Sequence, residues 1–158
     1  MAATPALRVL EKAGVAFEVR SYDPDDHETG QGYGEAAVHA LGQDPARVFK
    51  TLVARVDGVL TVAVVPVGGQ LDLKALAAAV GGRRAVMADP GDAERSSGYV
   101  RGGISPLGQR RALPTVVDAS ALGLPTVCVS GGRRGLQVEL APADLVGLTR
   151  ARTAPIGR

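Results

Sequence analysis

Hydrophobic residues fall along this chain in short blocks, and each block has a readable period. After Thr4-Pro5, residues Ala6, Val9, Leu10 and Ala13 recur at helical spacing, and Gly14 ends the run. Threonine ahead of a first-turn proline, with glycine after the last turn, is the punctuation of a helix. "FEVRSY" (17–22) reads as a strand, and "DPDDHETGQGYG" (23–34) as a polar loop. "EAAVHAL" (35–41) predicts a short helix closed by Gly42, and Asp44-Pro45 starts another helical turn. "VFKTLVARV" (48–56) and "VLTVAVVPV" (59–67) flank Asp57-Gly58, which predicts a hairpin. A helix over 71–82 follows, capped by Asp72; then a strand at 84–88, and a helix from Asp89-Pro90 towards Ser97-Gly98. Three short strands are expected at 114–119, 125–130 and 136–141, with a last helix from Pro142. The tail from Thr153 carries no pattern and is expected to fray. These elements predict an α+β fold, a mixed or antiparallel sheet or barrel with surrounding short helices. No repeat or linker divides it, so residues 1–158 read as a single domain.

Composition narrows the class. At 158 residues with 46% hydrophobic and 22% charged positions, the chain can bury a core and is not of the disordered type. No run of about 18 apolar residues is present, and the N-terminus lacks a secretory pattern. A lone cysteine, Cys128, forms no internal disulfide and fits a reducing, cytoplasmic setting. The net charge of +2 permits a nucleic-acid partner without requiring one. Arginine outnumbers lysine fifteen to three, and arginine doublets follow glycine-containing turns at 83–84, 110–111 and 133–134. Two readings of the doublets stand: solvated strand starts, or phosphate contacts around one rim.

Candidate chemistry is sparse. There is no GxSxG elbow, Walker loop or Rossmann fingerprint. Cys128 alternates with Val127 and Val129 in a strand pattern and reads as a core thiol. His39 reads as a helix-surface residue, and His27, in "DPDDHE", as part of a solvated loop; no metal or other cofactor is expected. Lys50 stands out because Val48, Phe49, Leu52 and Val53 around it suggest a strand covered on both faces. An ammonium there must snorkel to water or meet a cleft, where it could hold a phosphate or polarise a carbonyl. "RGGISPLGQR" (101–110) is either a plain connection or a turn whose amides cradle an anion, with Ser105 offering a hydroxyl and Pro106 stiffening the bend. Tyr33 and Tyr99, each beside glycine, are the candidates for stacking on a base.

In order along the chain, "VFKTL", "PVGGQLDLKAL", "MADP", "GYVRGGISPLGQRR", "PTVVDA" and "VSGGRRGLQVEL" resemble the YbaK/EbsC family of aminoacyl-tRNA deacylases. The likeness runs from Thr4 to about Leu148 and extends to the editing domain inserted in bacterial prolyl-tRNA synthetases. It implies the YbaK/editing-domain fold and a trans-editing hydrolase that releases a wrong amino acid from tRNA, with Cys-tRNA(Pro) as the expected substrate. It implies catalytic roles for Lys50 and for Gly103, Ile104 and Ser105. It places Tyr22, Thr51, Pro106, Ser130 and Gln137 in the substrate pocket. Gln137 departs from close relatives, which carry an acidic residue there; an amide keeps a hydrogen bond and loses the charge.

The family resemblance also implies chemistry without a protein nucleophile, the substrate's own thiol attacking its ester. The partners it implies are the aminoacylated 3′ end of tRNA and, for docking, prolyl-tRNA synthetase. Two alternatives stay open from the residues: a deacylase for another small amino acid such as Ala-tRNA(Pro), and a non-catalytic tRNA- or nucleotide-binding module.

Overall fold

A computed structural model describes residues 3–24 and 32–158; the His27 loop therefore lies outside the described residues. The chain begins with helix α1 (Pro5–Ala13), whose cap is Thr4: its hydroxyl accepts from the Leu7 amide, and Gly14 closes the helix at φ 70°. Strand β1 (Phe17–Ser21) and helix α2 (Tyr33–Leu41) follow. The expected helical turn at Asp44-Pro45 is a single hydrogen-bonded turn, Arg47 N–H to Asp44 C=O, and goes no further.

β2 (Phe49–Val56) and β3 (Val59–Pro66) form the predicted antiparallel hairpin. Asp57 (φ 49°) and Gly58 (φ 85°) both adopt positive φ, as a two-residue hairpin turn requires. Next come α3 (Leu73–Ala79), β4 (Ala85–Met87), α4 (Pro90–Ser97) and β5 (Thr115–Asp118). A 3-10 turn at Ala119–Gly123 leads to β6 (Val127–Ser130) and β7 (Leu136–Leu140), then α5 (Pro142–Thr149) and β8 (Arg152–Ala154).

The strands make two sheets, β1-β7-β6 and β4-β2-β3-β5-β8. The first is antiparallel; in the second, β4, β2 and β3 run antiparallel while β3, β5 and β8 are parallel. The fold is thus α+β with one antiparallel and one mixed sheet, as expected. One isolated parallel bridge, Val48 to Cys128, joins the two sheets. Between the sheets lies the larger core, which includes Leu10, Phe49, Val64, Val117, Val129 and Leu140. The outer face of the five-stranded sheet is covered as well, with Leu76 of α3 and Ile156 packing on Ala54, Ala63 and Val65. Cover on both faces explains the near-continuous apolar runs of β2 and β3.

The C-terminal tail departs from expectation. Rather than fraying, Arg152–Ala154 pairs in parallel with β5, and Ile156 is fully buried. Asp118 fixes the segment, accepting from the Ile156 and Gly157 amides at 2.9 and 2.8 Å, and Asp72 N–H donates to Ile156 C=O. Three residues are too few to show a period, and the burial of Ile156 depends on a groove built by distant residues.

Candidate active site

The register of β2 determines where its peptides point. The Val67 amide donates to the Val48 carbonyl, so even-numbered residues of β2 bond to β3 and odd-numbered ones face away. On that other side, Arg47 C=O accepts from Cys128 N–H and Val53 C=O accepts from Ala88 N–H, both at 3.0 Å. β4 pairs only with Ala54–Val56 of β2, and β6 is bridged to this chain segment only at Val48, the residue before β2. The N–H and C=O of Thr51 therefore face a break in the sheet, with no strand opposite them among the described residues. The Thr51 hydroxyl is buried and has no partner either. Buried polar groups are almost always paired, so an unpartnered hydroxyl, beside an amide and a carbonyl with no strand opposite them, singles out this residue.

A cavity of about 350 Å3 fills this break. Val48 to Val53 all line it. A strand face would contribute every second residue; six in succession show that the cavity lies along the strand's edge. Tyr33, Gly34 and Ala37 of α2 close one side. Pro90 and Ala93 of α4 close another, and Arg101, Gly102 and Ile104 of the following loop a third. Val129, Ser130, Leu136 and Gln137 of the smaller sheet complete the wall.

Of the residues expected at the site, Lys50, Thr51, Tyr22, Ile104, Ser130 and Gln137 line this one cavity. Lys50 Nζ donates to the Gly69 carbonyl at 3.0 Å, and an ammonium has two further protons to give. Burial raises the Tyr22 phenol above its ordinary value, so it is a neutral donor near pH 7. The Ser130 hydroxyl accepts from Gly132 N–H. Gln137, 2% exposed, exchanges two amide hydrogen bonds with Gln43, at 2.6 and 3.0 Å. The Ile104 amide has no acceptor among the described residues.

Gly103, Ser105 and Pro106 are buried behind the cavity wall rather than on it. The Gly103 amide is already used, donating to Val100 C=O. A Cβ at Gly103 would sit 2.6 Å from the Arg133 Cα, so this glycine serves a close approach of two backbones. Ser105 offers no hydroxyl to the cavity; its Oγ accepts from the Leu107 amide and shapes the bend.

Three further expectations are resolved. Tyr99 is not available for stacking: it is 4% exposed, its hydroxyl donates to Leu107 C=O at 2.6 Å, and burial pushes its phenol up to about 12. Cys128 is a buried thiol pushed up to about 11 by burial and by the nearby Glu139 carboxylate, and it lies outside the cavity lining. The arginine doublets do not share one rim. The Arg83 and Arg84 amides bind Asp57, Arg111 lines a separate pocket with Arg55 and Arg95, and Arg134 stacks on Tyr33, itself a lining residue of the cavity.

The domain thus joins one antiparallel and one mixed sheet and opens a cavity of about 350 Å3 at an unpaired strand edge. The model of the aminoacyl-tRNA editing domain matches residues 27–148, and the chain belongs to that family. It is 36% identical over 155 residues to the "Putative Cys-tRNA(Pro)/Cys-tRNA(Cys) deacylase EbsC" of Enterococcus faecalis, covering 97% of this chain and 92% of that one. It is 28% identical over 127 residues to the "Uncharacterized protein YwhH" of Bacillus subtilis, 80% of each chain. A crystal structure of "a putative trans-editing enzyme for prolyl tRNA synthetase" superposes with a TM-score of 0.83 at 26% identity, covering 100% and 99% of the two chains. The protein is an enzyme that deacylates aminoacyl-tRNA. No helix among the described residues is long and apolar enough to cross a membrane.

Proposed function

We propose that the substrate is cysteine esterified to proline tRNA and that the cavity at Thr51 holds the cysteinyl group. The observation that carries this reading is the unpaired edge of β2. The Thr51 amide and carbonyl offer one donor and one acceptor along this edge, in a cavity of about 350 Å3. The Thr51 carbonyl would accept from the substrate ammonium, and the amides of Thr51 and Ile104 would bind carbonyl oxygens. Lys50 would give its remaining protons to the ester or to the terminal sugar-phosphate. Gln137, neutral and bound to Gln43, adds no charge to the grip on the ammonium.

The chemistry falls to the substrate. The cysteinyl sulfur attacks its own ester carbonyl, a C–S bond forms, and the C–O bond to the ribose breaks. The thiol proton passes to the departing sugar oxygen, leaving free tRNA and a cyclic thiolactone that water opens to cysteine. Cavity size alone separates short side chains by only about 1–3 kcal/mol per methylene. Participation of the thiol therefore makes cysteine, rather than alanine or serine, the favoured substrate. The name of the Enterococcus relative and its 36% identity support this choice. Recognition of the proline tRNA itself is assigned to docking on prolyl-tRNA synthetase, in line with the description of the superposed crystal structure.

The test is a deacylation panel of cysteinyl-, alanyl- and seryl-charged proline tRNA, with Lys50→Ala beside the native protein. Electrostatic groups at a reacting carbonyl are worth about 100- to 1000-fold in rate. Lys50→Ala is expected to lose at least 100-fold on the cysteinyl substrate with an unchanged melting curve. Turnover of the alanyl substrate at the cysteinyl rate would overturn the thiol mechanism, and near-native turnover by Lys50→Ala would overturn the site.

A further inference from the structure

Most arginines that line the surface hollows already have a carboxylate. Arg20 and Arg47 share Glu139, and Arg55 and Arg95 share Asp92. The mouth of the active-site cavity differs. Arg134 lies over the Tyr33 ring with its guanidinium carbon 4.6 Å from the centroid. Its Nε donates to the Arg101 carbonyl at 2.8 Å, and the Arg101 amide is in turn held by the Glu94 carboxylate at 2.8 Å. These bonds fix the backbone of Arg101 and leave its guanidinium with no partner among the described residues, at the cavity wall. Tyr33 is 45% exposed, an unusual state for a large aromatic beside an apolar cavity. The assembly tolerates no side chain at Gly102, where a Cβ would meet the Tyr33 ring at 2.7 Å and Arg134 Nε at 2.8 Å. Three elements, α2, the loop after α4 and the β6–β7 turn, thus converge on one stacked aromatic–guanidinium pair, to which Arg101, a cation of the cavity wall, is bonded through its backbone carbonyl.

Single-stranded RNA ends are bound by this combination: a flat aromatic or guanidinium face takes a base, and free guanidinium groups take phosphates. A cation held against a ring is also pre-set to continue a stack. We propose that Tyr33 and Arg134 form a stacking platform for a base of the unpaired tRNA 3′ end, and that Arg101 pairs with the phosphate next to the acylated ribose. This rests on the deacylase reading for the identity of the ligand, since the acyl group must enter the cavity while the nucleotides that carry it lie across its mouth.

The platform is read without any charged tRNA. A fluorescent single-stranded RNA ending in CCA, uncharged, is titrated with the native protein and with Tyr33→Ala, Tyr33→Phe, Arg134→Gln and Arg101→Gln. Removal of one stacking aromatic is expected to weaken binding by about tenfold or more. Tyr33→Ala should therefore lose about tenfold and Tyr33→Phe should bind as the native protein does. Arg134→Gln should weaken binding through the stack, and Arg101→Gln should flatten the plot of log affinity against log salt by about 0.7, as expected for one lost phosphate contact on a single strand. Native-like binding by Tyr33→Ala, or equal loss in Tyr33→Phe, would overturn the platform; an unchanged salt slope in Arg101→Gln would overturn the phosphate contact. Tyr33-dependent RNA binding with no hydrolysis of any charged tRNA would leave the platform standing and remove the deacylase reading. Hydrolysis of cysteinyl-tRNA with Tyr33-independent RNA binding would do the reverse.

Discussion

Thr51 carries a buried hydroxyl that finds no partner, on a residue whose amide and carbonyl also face the cavity. An unpaired buried polar group costs about 1–3 kcal/mol. A valine has the same shape and a stronger strand preference, so Thr51→Val should stabilise the folded chain by about 1 kcal/mol, a rise of roughly 3 °C in melting temperature. The same change should reduce deacylation at least tenfold, and Thr51→Ser should restore most of it. Calorimetry beside single-turnover kinetics checks both halves; a valine variant that melts lower, or that hydrolyses normally, would show that the hydroxyl has another use. Lys50 is conspicuous in the sequence because an ammonium in an apolar run needs an explanation. Thr51 is not conspicuous, since threonine is an ordinary strand residue and only the missing partner makes it special. Tyr99 shows the same limit from the other side: in sequence it matches Tyr33, an aromatic beside glycine. Its burial follows from the Leu107 carbonyl that meets its hydroxyl, a contact no local pattern encodes.

At the level of elements, the hairpin of β2 and β3 is legible because Asp57-Gly58 sets both the turn and the register. The same Asp57 also caps the Arg83 and Arg84 amides at 2.9 and 3.0 Å, which a reading of the turn does not reveal. β8 is illegible for a related reason: its partner is β5, some 35 residues upstream, and what fixes it is the Asp118 side chain. Burial works to raise the Asp118 carboxyl, but hydrogen bonds from Ser120, Gly157 and Ile156 outweigh it and hold the group below its ordinary value. A depressed carboxyl stabilises the fold at pH above its unfolded value, near 4, and this contribution is lost as pH falls through the folded value. Denaturant unfolding from pH 7 down to pH 3 should therefore show stability falling below about pH 5. Asp118→Asn should start lower by about 1–3 kcal/mol and lose less over the same range. A native protein and variant with parallel pH profiles would mean that the tail is not held by this charge.

The whole molecule is two sheets that nearly close on each other and do not. β2 belongs to the larger sheet through β3 and is bridged to the smaller one only at Val48, the residue before it, so the seam between β4 and β6 stays open at Thr51, between that bridge and the Val53–Ala88 bond. An open strand edge is ordinarily a liability, because it can pair with another chain. Here α2, α4 and the 101–104 loop surround it, so the edge is reachable by a small group and shielded from another strand. The sequence announces the strands on either side of the seam but not the seam itself, which exists only in the way two sheets meet. Residue-resolved amide exchange measures it directly. Lys50 and Leu52 donate their amides towards β3, whereas the Thr51 amide, between them on the same strand, points into the cavity. In the free protein Thr51 should exchange at least tenfold faster than both neighbours. A non-hydrolysable analogue of the cysteinylated 3′ adenosine should slow Thr51 selectively, because an amide that gains an acceptor must lose it before exchanging. If Thr51 is protected like Lys50 and Leu52 in the free protein, the seam is closed in solution. If the analogue slows all three equally, it stabilises the fold without touching the edge, and the acyl group is bound elsewhere.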